Sequence, residues 1–228
     1  MQPCLLVPRL IAPVVRPPSY IALDMAFGLE TGAKLFDKSR HRAHGDITGA
    51  DWAAGAHGYA LDFTATVPDY VEIAAAYDHL NFISGPFSIM ARIKLDSISG
   101  YPKLFNRSLY AVDGYILQIS NDASLNFNTS QSGVAQSTSS AAATIAVATW
   151  YTVGMSRTGA AAKVYINGVD ATSAAETHQN PATCARSAKI GVYDNKVDDG
   201  VDGKIEFLRI FSLALSAKEH LAYHNALA

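Results

Sequence analysis

The segment Pro86–Ile98, PFSIMARIKLDSI, sorts its residues into two chemically different sets at a spacing of two. Phe87, Ile89, Ala91, Ile93 and Leu95 alternate with Ser88, Met90, Arg92, Lys94 and Asp96. A helix, repeating every ~3.6 residues, would scatter both sets around its axis. A strand places successive side chains on opposite faces, so this pattern predicts a long half-buried strand. Further strands are expected at Ala60–Phe63, Tyr70–Ile73, Tyr115–Ile119, Leu125–Phe127, Thr149–Arg157, Lys163–Ile166, Lys189–Val192 and Lys204–Phe211. Asn167–Gly168 marks a hairpin after Ile166, because both central positions of that turn need positive φ. The Ser-, Thr- and Ala-rich stretch Ser130–Ala148 reads as a weak strand pair or a long surface loop.

One helix is expected, at the C-terminus. Ser216 and Glu219 have capping-box spacing, in which the hydroxyl accepts an N–H of the first turn and the carboxylate accepts the cap's own N–H. Leu221 with His224 or Asn225 then sets the helix face. No period of repetition and no second domain are visible, so residues 19–228 read as one all-β domain. Residues 1–18 hold Pro3, Pro8, Pro13, Pro17 and Pro18, which favour an extended arm. Leu5, Leu6, Val7, Leu10, Ile11, Val14 and Val15 make that arm apolar, as expected of a segment that docks on its own domain or on a neighbouring subunit.

Composition removes several partners. A formal charge of −2 with no dense basic stripe gives no footprint for nucleic acid. Charged residues make up 17% of the chain against the usual ~25%, so much of the surface must be Ser, Thr, Asn, Gly and Ala. The prolines break any signal-peptide core or bilayer span near the N-terminus, so synthesis in the cytoplasm without a signal peptide is expected, with no membrane insertion. Cys4 and Cys184 are too few for a disulfide framework and read as free thiols.

Four stretches, in order, resemble the laminin-G-like jelly-roll domains of the concanavalin-A-like lectin/glucanase superfamily. They are FDKSRHRAHGDITGADWAAGAHGYALDFTATVPDYVEI (Phe36–Ile73), GPFSIMARIKL (Gly85–Leu95), TWYTVGMSRTGAAAKVYINGV (Thr149–Val169) and GKIEFLRIFSLALSAKEHLAYH (Gly203–His224). The resemblance covers roughly residues 20–226 and implies a sandwich of two antiparallel sheets closed by a short helix. It implies core positions for Trp52 and Trp150. It does not name a chemistry, since one fold hosts many functions.

Glycan-cleaving relatives need paired acids, about 5–5.5 Å apart for retaining hydrolysis. Glu30, Glu72, Glu176, Glu206 and Glu219 have no Asp two positions away. Glu206, amid Phe207, Leu208 and Ile210, reads as a structural partner of Arg209 or of a loop N–H. Gln118 and Tyr193 echo motifs of lyase-like relatives, but Ser120 stands where their His is expected, leaving no base of suitable pKa. The chain is therefore expected not to be an enzyme.

Two binding chemistries remain. Asp194, Asn195, Asp198, Asp199 and Asp202 crowd one Gly-containing loop, suited to Ca²⁺, which takes about six to eight oxygens from flexible loops. A solvated turn is the competing reading. His41, His44 and His57 lack a Cys and lie among Lys38, Arg40 and Arg42, a poor setting for zinc. Sugar binding needs exposed aromatics beside amides, which Tyr101, Tyr110, Tyr115 and Tyr193 with Asn106 would supply.

On the sequence, the first functional reading is a non-catalytic structural or attachment protein. It would be a virion or cell-surface component, such as a phage decoration, capsid-auxiliary or fibre protein, assembling with other subunits through its arm. The alternative is a carbohydrate-binding, lectin-like module with a glycan partner. A polysaccharide lyase or glycoside hydrolase comes third.

Overall fold

A computed structural model of the chain describes residues 18–27, 31–66 and 69–226. The apolar arm positions Leu5 to Val15 lie outside the described residues. In chain order the strands are β1 (Ile21–Ala26), β2 (Lys34–Leu35), β3 (Gly45–Thr48), β4 (Asp51–Ala54), β5 (Tyr59–Phe63) and β6 (Tyr70–Ile73). Then come β7 (Phe87–Leu95), β8 (Lys103–Leu109), β9 (Asp113–Ile119), β10 (Leu125–Gln131), β11 (Val134–Ser140) and β12 (Tyr151–Thr158). The last are β13 (Ala161–Ile166), β14 (Val169–Asp170), β15 (Thr172–Ala175), β16 (Ala188–Ile190) and β17 (Gly203–Phe211), followed by α1 (Ala217–Asn225).

These strands make two antiparallel sheets. An eight-stranded sheet runs β14-β13-β12-β7-β17-β5-β4, with β1 also paired to β17. A nine-stranded sheet runs β15-β11-β10-β9-β8-β16-β6-β3-β2. The first face of β7 meets the second sheet as the alternation requires: Phe87 lies 4.9 Å from Tyr115 and 5.9 Å from Phe127, centroid to centroid. Leu117, Ile119 and Leu125 complete that side of the core and are fully buried. At the entry to the sandwich, the Asp37 carboxylate accepts the N–H groups of Asp24, Ser39 and Ala43, each at 2.8 Å, which fixes the first turn.

The other face of β7 departs from the half-buried expectation, for Ser88, Met90 and Arg92 are buried too. The cause is the chain's C-terminal end, which crosses this face. Ser88 Oγ accepts the N–H of Leu215 at 2.8 Å, and His220 of α1 stacks on Tyr165 with ring centroids 3.8 Å apart. Gly154 makes room for it, since a Cβ there would meet the His220 ring at 3.0 Å. The capping box forms as expected: Ser216 Oγ accepts the Glu219 N–H and the Glu219 side chain accepts from Ser216 N. The hairpin turn also forms, with Asn167 at φ 50° and Gly168 at φ 77°.

One expectation is corrected and two open alternatives are resolved. Trp52 and Trp150 are only partly buried: Trp52 packs against the edge of the core and donates to Gly32 O at 2.9 Å, whereas Trp150 lies outside it with Arg92 over its ring. Glu206 takes the second of its two expected partners, accepting the N–H of His57 in the β4–β5 loop, and also pairs with Arg92 at 3.0 Å, while Arg209 pairs with Asp24. A β-bulge between Ile205 and Phe207 leaves Glu206 as the extra residue and turns it toward these partners. Ser130–Ala148 resolves into the end of β10, the whole of β11 and a run of turns.

Candidate functional site

Strand alternation gives the nine-stranded sheet a second face. Across β9 and β10, Gln118 pairs with Asn126 and Ile116 with Asn128, while Leu117 pairs with Phe127 on the core side. On β11, Ser137 continues the outer row beside Asn128. The outer face of these strands is thus a floor of amides and hydroxyls. The amides fix one another: Asn128 and Gln118 both donate to Asn126 Oδ1, and Asn126 Nδ2 donates to Ser137 Oγ at 2.6 Å. Among the described residues no hydrogen bond reaches Oε1 of Gln118 or Oδ1 of Asn128, so both acceptors are available to a ligand.

Tyrosines wall this floor, making a cleft of about 510 Å³. Tyr101 precedes β8, Tyr110 sits on the β8–β9 turn and Tyr193 stands in the loop after β16; Tyr101 and Tyr110 are 42% and 55% exposed. Their supports are hydrogen-bonded to neighbouring strands and loops. The turn carrying Tyr110 is held by Gly133 N donating to Ala111 O at 2.7 Å and by Ala111 N donating to Ser130 Oγ at 3.1 Å. Tyr110 N in turn donates to the Tyr193 hydroxyl at 2.9 Å.

Lys103 joins the other two rings. Its ammonium lies 5.3 Å from the ring centroids of both Tyr101 and Tyr193, a cation–π contact with each. It donates to Asp199 Oδ2 at 2.8 Å and to Tyr101 O at 2.9 Å. Burial pulls this ammonium below its ordinary pKa range, while the hydrogen bond and charge of Asp199 act in the opposite direction. Lys103 reaches the outer face through a bulge: it pairs with Gln118, Phe105 pairs with Leu117, and Leu104 is the extra residue between them.

The sequence candidates divide accordingly. Tyr101, Tyr110 and Tyr193 do line one cleft. Tyr115 is corrected: it is 1% exposed, faces Phe87 and Phe105, and donates its hydroxyl to Leu80 O at 2.7 Å. It shares the parity of Leu117 and Ile119, which is core parity. Asn106 lies on the outer face beside Ile116 but is fully buried, with its Nδ2 donating to Ser108 O at 3.2 Å. Sequence reasoning missed Lys103, Asn126, Asn128 and Ser137; the amides were legible in the alternation LNFNTS of β10.

The acidic loop does not gather its oxygens. Asp194 pairs with Lys189 at 2.8 Å and with Arg186 at 3.0 Å. Asp199 pairs with Lys103, and Asp202 accepts the Ser97 hydroxyl at 2.7 Å. Asn195 caps the turn, its Oδ1 accepting the N–H groups of Val197 and Asp198 at 3.0 Å each. Among the described residues no group of His, Cys, Asp or Glu comes together as a metal shell. The loop instead builds the cleft wall, holding Tyr193 and returning Asp199 to Lys103. Near Arg42, His41 stacks on His79 at 3.8 Å and His44 Nδ1 accepts the Asp37 N–H at 3.0 Å.

Asp199 is the carboxylate among the residues lining the cleft. No helix of the described residues is long and apolar enough to cross a membrane.

Known proteins share this architecture. The binding domain of Paraclostridial Mosquitocidal Protein 1 superposes with a TM-score of 0.74 at 14% identity, over 92% of this chain and 53% of that one. A botulinum neurotoxin type C structure, described with cell entry dependent on two ganglioside molecules, gives 0.69 at 16% identity, over 92% and 52%. Domain 4 of AbnA, a GH43 extracellular arabinanase from Geobacillus stearothermophilus, in complex with arabinotriose, gives 0.62 at 18% identity, over 89% and 97%. At these identities the likeness is one of fold. The chain spans about half the length of the two toxin chains. Curated protein sequences give no match. A family model described as the concanavalin A-like lectin/glucanases superfamily matches residues 66–219, more than half of the sequence, and the chain belongs to that superfamily.

Proposed function

We propose that this chain is a carbohydrate-binding module that holds a glycan in the cleft on the outer face of the nine-stranded sheet. The observation that carries the reading is Tyr101, Tyr110 and Tyr193 standing over the fixed amides of Gln118, Asn126 and Asn128. A sugar ring has apolar C–H faces for the aromatic walls and hydroxyls for the amide oxygens, so the site matches it on both counts. The lectin-like family and the arabinotriose bound by a domain of the same fold support the same reading.

The role is binding without turnover. Retaining hydrolysis needs two carboxyl groups, and Asp199 is held by Lys103 and by the Tyr101 N–H at 3.1 Å. The assembly reading, placed first on the sequence, rested on an arm that lies outside the described residues. The family match and the arabinotriose-bound relative favour the second reading, and the order of the two is reversed on that ground. A glycan array followed by titration calorimetry tests the proposal. Binding that is lost in the double variant Tyr101→Ala/Tyr110→Ala supports it; no binding to any glycan, or release of reducing ends on incubation, overturns it.

A further inference from the structure

The charges of the cleft bear on which glycans it admits. Resting on the carbohydrate-binding reading, we infer that the cleft selects uncharged sugar chains and discriminates against those bearing carboxylate or sulfate, because its lining cation is already matched by a carboxylate within the protein.

Among the residues lining the cleft, the ionisable pair is Lys103 and Asp199. The Lys103 side chain is 5% exposed and that of Asp199 is 25% exposed, so the anion is the member nearer solvent. Two of the three ammonium N–H groups go to Asp199 Oδ2 and Tyr101 O, and the Tyr101 and Tyr193 rings cover its flanks. One N–H is left over, on a side chain only 5% exposed whose charge is already matched by Asp199.

Reserve cations near the wall are held in the same way. Lys189 and Arg186 share Asp194, at 2.8 and 3.0 Å, and Lys196 pairs with Glu72 at 2.7 Å. Arg107, although on β8, is fully buried and donates to the backbone carbonyls of Tyr77 and Ala75. A uronate, sialate or sulfate entering the cleft would lose its water, meet no unmatched cation and approach Asp199 as a like charge. An ion desolvated without a partner binds poorly. A neutral sugar avoids that cost: its hydroxyls meet Gln118 Oε1, Asn128 Oδ1 and the hydroxyls of Ser120 and Ser137, none of which carries charge.

The test uses the intact protein and glycans that differ in charge alone. An array with neutral, uronate, sialylated and sulfated members identifies binders. Titration then compares matched pairs, such as methyl-esterified against de-esterified polygalacturonate and dextran against dextran sulfate. The neutral member of any bound pair is expected to bind at least about tenfold more tightly, a factor worth about 1.4 kcal/mol. Its affinity is expected to be unchanged between low and high salt, since no ion pair forms. In the variant Asp199→Asn, which keeps the shape and leaves Lys103 unmatched, that ratio is expected to shrink. A charged member binding as well as its neutral partner, or affinity falling steeply with salt, overturns the inference and leaves the carbohydrate-binding reading standing. Binding of no glycan overturns both. If the Asp199→Asn variant does not fold, the wild-type ratio and its salt response decide alone.

Discussion

The backbone N–H of Tyr110 donates to the hydroxyl of Tyr193 at 2.9 Å, joining two loops 83 residues apart in sequence. This bond sets the width of the cleft, because each loop carries one of its aromatic walls. The side chain of Tyr193 therefore has two separable duties, a ring that lines the cleft and an oxygen that holds the opposite wall.

The two duties predict a graded series. Tyr193→Phe keeps the ring and loses the acceptor, so glycan affinity is expected to fall by about 1 kcal/mol. Tyr193→Ala loses both and is expected to cost about 2 kcal/mol or more. Titration of the same glycan against both variants checks the order; equal losses would mean that the hydroxyl holds nothing.

Tyr115 should behave in the opposite way. Its hydroxyl donates to Leu80 O inside the core, so Tyr115→Phe leaves a buried carbonyl unsatisfied. Urea unfolding is expected to show a loss of about 1–2 kcal/mol, with glycan affinity unchanged.

Chelation should have no effect on glycan binding. The carboxylates of Asp194 and Asp199 are held by Lys189, Arg186 and Lys103, and their release would dismantle the wall that carries Tyr193. Affinity measured before and after EDTA treatment is expected to agree; a loss restored by Ca²⁺ would mean that the loop rearranges around the ion.

Acid should destabilise the fold before carboxylates titrate. Burial pushes the His220 ring down to about 3 and the His178 ring down to about 4, both from an ordinary 6.5. Below 6.5 the unfolded chain takes up protons that the folded chain refuses, so the stability these rings contribute above 6.5 is lost as pH falls towards 4 and 3. Between pH 6.5 and about pH 5 the loss is on the order of 2 kcal/mol for each ring. His41, His79 and His224, also lowered chiefly by burial, act in the same direction. Urea midpoints at about pH 7 and about pH 5 measure the effect, and His220→Gln is expected to flatten it.

Much of the sandwich was legible because strand parity and turn chemistry are local. Phe87–Leu95 announced β7 by alternation, Asn167–Gly168 announced its hairpin, and Ser216 with Glu219 announced α1. What stayed hidden depends on neighbours. β8 carries a bulge at Leu104, so a strict count of two puts Lys103 on the side of Phe105 instead of beside Gln118. β11 is made of Val, Ala, Gln, Ser and Thr, and its one fully buried residue, Thr138, is satisfied by His178 Nε2 at 2.8 Å from a distant loop. The cleft was half legible: three tyrosines were found by residue type, while Tyr115 was misplaced by ignoring its parity with Leu117.

The same strands that seal the sandwich also present its cleft, since Leu117, Ile119, Leu125 and Phe127 point one way and Gln118, Ser120, Asn126 and Asn128 the other. Such a sheet separates inheritance into two alternating scripts. Exchange of the outer letters can retune what is recognised while the inner letters go on specifying the same molecule, which makes these four positions the natural place to diversify a library.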